Sequence, residues 1–142
     1  MNIGFIYAFA SAITWGLVYA IDGKILASVS PANFLLVSLV VMAAVTLPFV
    51  IFTAGSPEAF FTSLKSEWFL IVVSNILAAL GSFLIFSGIK ALGAPTASVI
   101  EISYPFFVML FGVLLFRSVL NIYFLAGALL VFIGSVIIIK FS

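Results

Sequence analysis

The sequence predicts an all-α integral membrane protein, a bundle of five transmembrane helices, on three observations. Of the 142 residues, 66% are hydrophobic and 6% charged, against roughly 25% charged in an average soluble domain. Five basic and four acidic side chains cannot cover the surface of a soluble protein of this length. Residues 3–21, 31–55, 68–89 and 118–139 carry no charge at all, and each is near the length of about 20 residues that a helix needs to cross a bilayer. A fifth apolar run, 91–116, is broken only by Glu101. Backbone groups in hydrocarbon must bond within their own segment, so runs of this length are helices; a barrel would alternate in units of about ten residues.

The helices expected are 3–21, 31–55, 68–90, 95–116 and 119–140, with a short interfacial helix at 57–65, all within one domain covering 1–142. The first segment contains Ala10-Ser11-Ala12, which resembles a signal-peptide cleavage box. No Lys or Arg precedes the apolar run, however, and it continues to Ile21, so a retained helix is expected. Asp22-Gly23-Lys24 opens a polar turn that closes on Ser30-Pro31, with Pro31 suited to the first turn of the second helix. Ser56-Pro57-Glu58 has the cap, proline and acid of a helix start. Ala91-Leu92-Gly93-Ala94-Pro95 is a tight break before the fourth span, and Arg117 to Asn121 a turn before the fifth.

Composition excludes several functions. With no Cys and no His, there is no disulfide framework, no Cys/His metal site and no ordinary general base. No cofactor and no metal are expected. A net charge of +1 without a basic cluster makes no case for nucleic acid. A membrane enzyme would have to rely on Glu101 or Asp22 without an evident nucleophile partner.

Five spans put the two termini on opposite sides of the membrane. One side then holds Lys65 and Arg117, the other Lys24, Lys90 and Lys140. Orientation normally follows an excess of Lys and Arg in cytoplasmic loops, and two against three is no clear excess. Two readings stay open: a weak bias toward a cytoplasmic C-terminus, and dual insertion with antiparallel pairing of two copies.

Glu101 is the conspicuous residue. A carboxylate in hydrocarbon costs several kcal/mol unless it is neutralised, paired or facing water, so it points to a site in the bundle interior. Ser98, Glu101, Tyr104, Pro105, Val108 and Gly112 recur at three- and four-residue spacing and share one helix face. Pro105 lacks an N–H, which leaves the Glu101 carbonyl without its helix partner and predicts a kink. From a helix start near Thr96 the acid lies roughly 8 Å deep at the helical rise. A substrate or proton site is one reading of it. An acid near the helix N-terminus, stabilised by the helix dipole and paired structurally, is the other.

Tyr7, Ser11 and Trp15 make a second stripe on the first helix, flanked by Thr14 and Tyr19, with Asp22 at its end. The stripe reads either as the wall of a cavity or as interhelical hydrogen bonding. Asn75, with Ser74 and Ser82, marks a polar strip on the third span. Gly127 and Gly134, with Ala128 and Ser135 beside them, and Gly112 are expected to serve close helix packing. Phe106 and Phe107 border the acid and are further candidates for a cavity wall.

These residues resemble a known pattern. Trp15-Gly16, Ser30-Pro31, Ala91-Leu92-Gly93-Ala94 running into Thr96-Ala97-Ser98, Tyr104-Pro105-Phe106, and Gly127 with Gly134 are similar, in this order, to the EamA domain of the drug/metabolite transporter superfamily. The resemblance spans nearly the whole chain. It departs at Ser38, where the family often has an arginine, and at Arg117-Ser118, where a Gly-Glu pair is common. The four-helix small multidrug resistance proteins are less similar, because their key acid lies in the first helix.

The resemblance implies two five-helix units in inverted orientation around a central cavity, moving small metabolites, amino acids and related compounds. This chain resembles one such unit. The implied assembly is a homodimer, antiparallel in one version, embedded in the lipid bilayer of a prokaryotic cell membrane. Glu101, Tyr104, Asn75, Trp15, Ser11, Ser98 and Tyr7 are the residues expected to meet a small-molecule substrate. A non-transporting subunit that assembles with another five-helix protein is the competing expectation.

Overall fold

The computed structural model describes residues 3–53, 56–65, 67–119 and 121–141, and they form seven helices. These are α1 (Ile3–Leu26), α2 (Pro31–Thr53), α3 (Pro57–Lys65), α4 (Trp68–Leu92), α5 (Ala94–Glu101), α6 (Tyr104–Phe116) and α7 (Ile122–Phe141). Five segments are long and apolar enough to cross a membrane: α1, α2, α4, α7 and the pair α5 and α6 taken together over 94–116. The protein is therefore an all-α, multi-pass membrane protein. Its exposed side chains are overwhelmingly apolar, Phe5, Phe9, Leu36, Phe52 and Leu130 among them, as hydrocarbon solvent allows.

Buried positions have a different character. Among the described residues Asp22, Ser103 and Ser135 are buried alongside Leu26, Ile89, Ala97 and Ala128. Lipid tails are as apolar as leucine, so burial gains little from hydrophobicity alone, and small and polar side chains share the buried positions with Leu26 and Ile89.

The chain divides into two compact units, one of residues 26–87 and the other of 1–25 with 88–142. In the first, Ser30 caps α2: its Oγ accepts the Asn33 N–H at 3.2 Å, with Pro31 as the opening residue. Phe34 of α2 meets Phe86 of α4 with ring centroids 4.8 Å apart. The Ser56 carbonyl accepts the Phe60 N–H as α3 begins.

In the other unit α5 and α6 both pack along α7. Asp22-Gly23-Lys24, expected as a turn, is instead helical and belongs to the last turns of α1. Lys24 in the final turn suits the negative end of the helix dipole, and Gly23 allows a close approach, since a Cβ there would stand 3.0 Å from the Ala94 Cβ. Gly93 alone joins α4 to α5. Its φ of 83° and ψ of 155° belong to a region essentially restricted to glycine. At the end of α6, Arg117 adopts a left-handed conformation with φ of 52°, and the Ser118 N–H bonds back to the Gly112 carbonyl at 3.1 Å. Asn121 then caps α7, its Oδ1 accepting the Tyr123 N–H at 2.9 Å.

Glycine packing differs from the expectation within this chain. A Cβ on Gly127 or Gly134 would meet nothing within 4 Å. The neighbouring positions, Ala128 and Ser135, are the buried ones. A Cβ on Gly112 would stand 3.5 Å from the Oγ of Ser118 in the following turn rather than against another helix.

Candidate functional site

The span carrying Glu101 is discontinuous. α5 ends at Glu101, Ile102 and Ser103 form a turn, and α6 starts at Tyr104 with Pro105 in its first turn. The cause is local: Pro105 has no N–H to give to the Glu101 carbonyl, so the regular ladder cannot continue through this point. The chain tightens instead, with the Ser103 N–H bonding to the Ile100 carbonyl at 3.2 Å and the Phe106 N–H to the Ser103 carbonyl at 3.1 Å.

That turn diverts the Ser103 N–H from the Val99 carbonyl, its ordinary helical partner. Ser135 of α7 lies within donor range of that carbonyl, with its Oγ 2.9 Å away, and Ser103 Oγ donates to Ser135 Oγ at 3.3 Å. A broken helix persists in a membrane where neighbouring groups can satisfy the freed backbone, and the Ser135 hydroxyl is placed to do so, sharing its one proton between the Val99 carbonyl and the Val131 carbonyl of its own helix, each at 2.9 Å. Ser135→Ala is accordingly expected to destabilise the fold by about 1 kcal/mol, the usual scale for one interhelical hydrogen bond. Unfolding in mixed micelles titrated with SDS measures this, and an unchanged midpoint would remove Ser135 from the account.

Beside the break lies an open cavity of about 580 Å³. From α1 it is lined by Ala8, Ser11, Ala12, Trp15, Gly16 and Tyr19; from α5 and the turn by Ser98, Val99, Glu101 and Ile102, with Tyr104 opening α6. Glu101 is half-buried, and the Tyr19 hydroxyl donates to its Oε2. Trp15 and Tyr19 stand one helical turn apart, with ring centroids at 5.8 Å and planes tilted by 52°. The Ser98 hydroxyl is engaged within α5, donating to the Pro95 carbonyl at 2.9 Å.

Glu101, Tyr104, Trp15, Ser11 and Ser98 thus share one cavity. Tyr7 lies exposed on α1 and is not among the lining residues. Asn75 belongs to the other compact unit, where its amide donates to the Ile71 carbonyl at 2.8 Å. Phe106 is not in the lining either, and packs on Phe132 of α7 at 6.3 Å. Tyr19, expected only to flank the polar stripe, is the direct partner of the acid. Its spacing of four from Trp15 and eight from Ser11 was the available signal.

Glu101 also sits between two helix ends. It is the last residue of α5, where that helix's own dipole disfavours an anion, and precedes the start of α6, whose dipole favours one.

The comparisons with known proteins agree with this architecture. The model of the EamA-like transporter family matches residues 2–140. No curated protein matches the chain, and no solved structure does. With nearly every residue inside the match, this five-span chain with its broken fourth span is a member of the EamA-like transporter family.

Proposed function

We propose that the cavity beside Glu101 is the solute site of an alternating-access transporter for small metabolites, and that the working unit pairs two copies of this chain in inverted orientation. The observation that carries the reading is the Tyr19–Glu101 hydrogen bond in the lining of an open cavity, next to a break in a spanning helix. Discontinuous helices beside an ionisable residue are a recurring way to build transporter sites, because half-helix ends and freed backbone groups face the cargo. The near balance of basic residues, Lys65 and Arg117 against Lys24, Lys90 and Lys140, supports insertion in both orientations. Rocking one unit against the other would then open the shared cavity to either side.

The test uses the purified chain in liposomes loaded with a mixture of small amines, amino acids and neutral metabolites, under an imposed pH gradient. Mass spectrometry of the external medium is expected to show one class released faster than from protein-free liposomes. Release equal to that control for every class would instead favour a non-transporting subunit. Reporter fusions at both ends test the pairing: each terminus is expected on both sides of the membrane. A single fixed orientation would rule out the inverted homodimer.

A further inference from the structure

We infer that the solute held in this cavity is an organic monocation, an ammonium group carried on an apolar body about the size of a ring. The inference rests on reading the cavity as the solute site and specifies what that site selects. The lining contains one carboxylate, Glu101, and neither lysine nor arginine. Three aromatic side chains share the space with it: Trp15 and Tyr19 from α1 and Tyr104 from the start of α6. The face of an aromatic ring is the negative end of its quadrupole and attracts an ammonium group within about 6 Å, most strongly where water is excluded. A carboxylate and aromatic rings in one cavity therefore offer one kind of partner, a positive charge with an apolar skin.

The opposite charge has no comparable reception. An amino acid would bring its own carboxylate into a space whose formally charged side chain is another carboxylate, and repulsion of like charges is least screened in such surroundings. A neutral solute would gain nothing from Glu101 beyond a hydrogen bond.

The remaining wall suits the apolar body. Ala8, Ala12 and Gly16 follow each other at intervals of four on α1, and all three line the cavity. They make a shelf of small side chains along which a ring or short alkyl chain can lie. The cavity, about 580 Å³, has the size of an ordinary small-molecule site.

Three ligands with the same phenyl body decide the matter: 2-phenylethylammonium, phenylalanine and 2-phenylethanol. Each is titrated calorimetrically into the solubilised chain. The amine is expected to bind at least about ten-fold more tightly than either of the others, the scale of one desolvated cation–π or charge contact. Glu101→Gln is expected to lower the amine's affinity by about ten-fold and to leave that of the alcohol unchanged. The comparison on the unmodified protein stands even if the variant fails to fold.

Phenylalanine or the alcohol binding as tightly as the amine would overturn the inference while leaving the cavity a solute site. Absence of binding by all three would overturn it as well, and release from loaded liposomes then judges transport separately.

Discussion

Glu101→Gln is expected to lower transport in proteoliposomes by about ten-fold while leaving the protein folded and assembled, the magnitude corresponding to one charge-assisted contact of about 1.4 kcal/mol. The substitution keeps the shape of the side chain, and its amide oxygen can still accept the hydrogen bond from Tyr19. What it removes is the negative charge and the capacity to take up and release a proton. If the acid only held α1 to α5, glutamine would serve nearly as well, and transport would survive with a small loss of stability. The two roles are therefore separable by measuring both quantities on one preparation. Transport within about two-fold of the unmodified protein, on the same scale of about 1.4 kcal/mol per factor of ten, would assign Glu101 to structure.

Gly93→Ala is expected to destabilise the fold by about 1–3 kcal/mol, the usual cost of forcing a side chain into a backbone region reserved for glycine. The surroundings are not crowded: the nearest atom to an added Cβ is Pro95 Cδ, at 4.0 Å. The penalty therefore comes from backbone conformation and not from a clash. It falls where one residue turns the chain from α4 into α5 and where the Gly93 carbonyl accepts the Ala97 N–H at 3.1 Å as the new helix begins. Any shift there reaches Glu101, at the far end of the same eight-residue helix, so transport should fall together with stability. Gly127→Ala serves as the contrast. That glycine is helical with open space around it, so alanine should be neutral or stabilising by up to about 1 kcal/mol. Equal losses at both positions, measured by SDS unfolding, would refute the backbone explanation.

Much of the architecture could be read along the chain because a bilayer permits so few solutions. Long uncharged runs must be helices, and the start of α2 at Ser30-Pro31 and the break at Gly93 stand in the sequence as capping and turn chemistry. The interruption after Glu101 was also legible, since Pro105 cannot donate to it.

The site was legible only in part. Ser11, Trp15, Ser98, Glu101 and Tyr104 line one cavity, whereas Tyr7 is not in its lining and Asn75 bonds back to its own helix in the other unit. Register was the weak point. In a soluble helix an apolar stripe marks the inward face, but here apolar residues surround every spanning helix, and no stripe says which side meets protein. That is why Gly127 and Gly134 stood out while the buried positions of α7 are Ala128 and Ser135.

By itself the sequence determined five spans and the presence of one acid within the fourth, because hydrocarbon penalises unpaired backbone and charge wherever they fall along a chain. Only the tertiary structure decided that Tyr19 holds that acid and that the Ser135 hydroxyl lies within donor range of the carbonyl freed beside it. Both contacts join residues far apart in the chain, and their partners are chosen by the rotation and depth of packed helices, which a uniformly apolar surface does not encode.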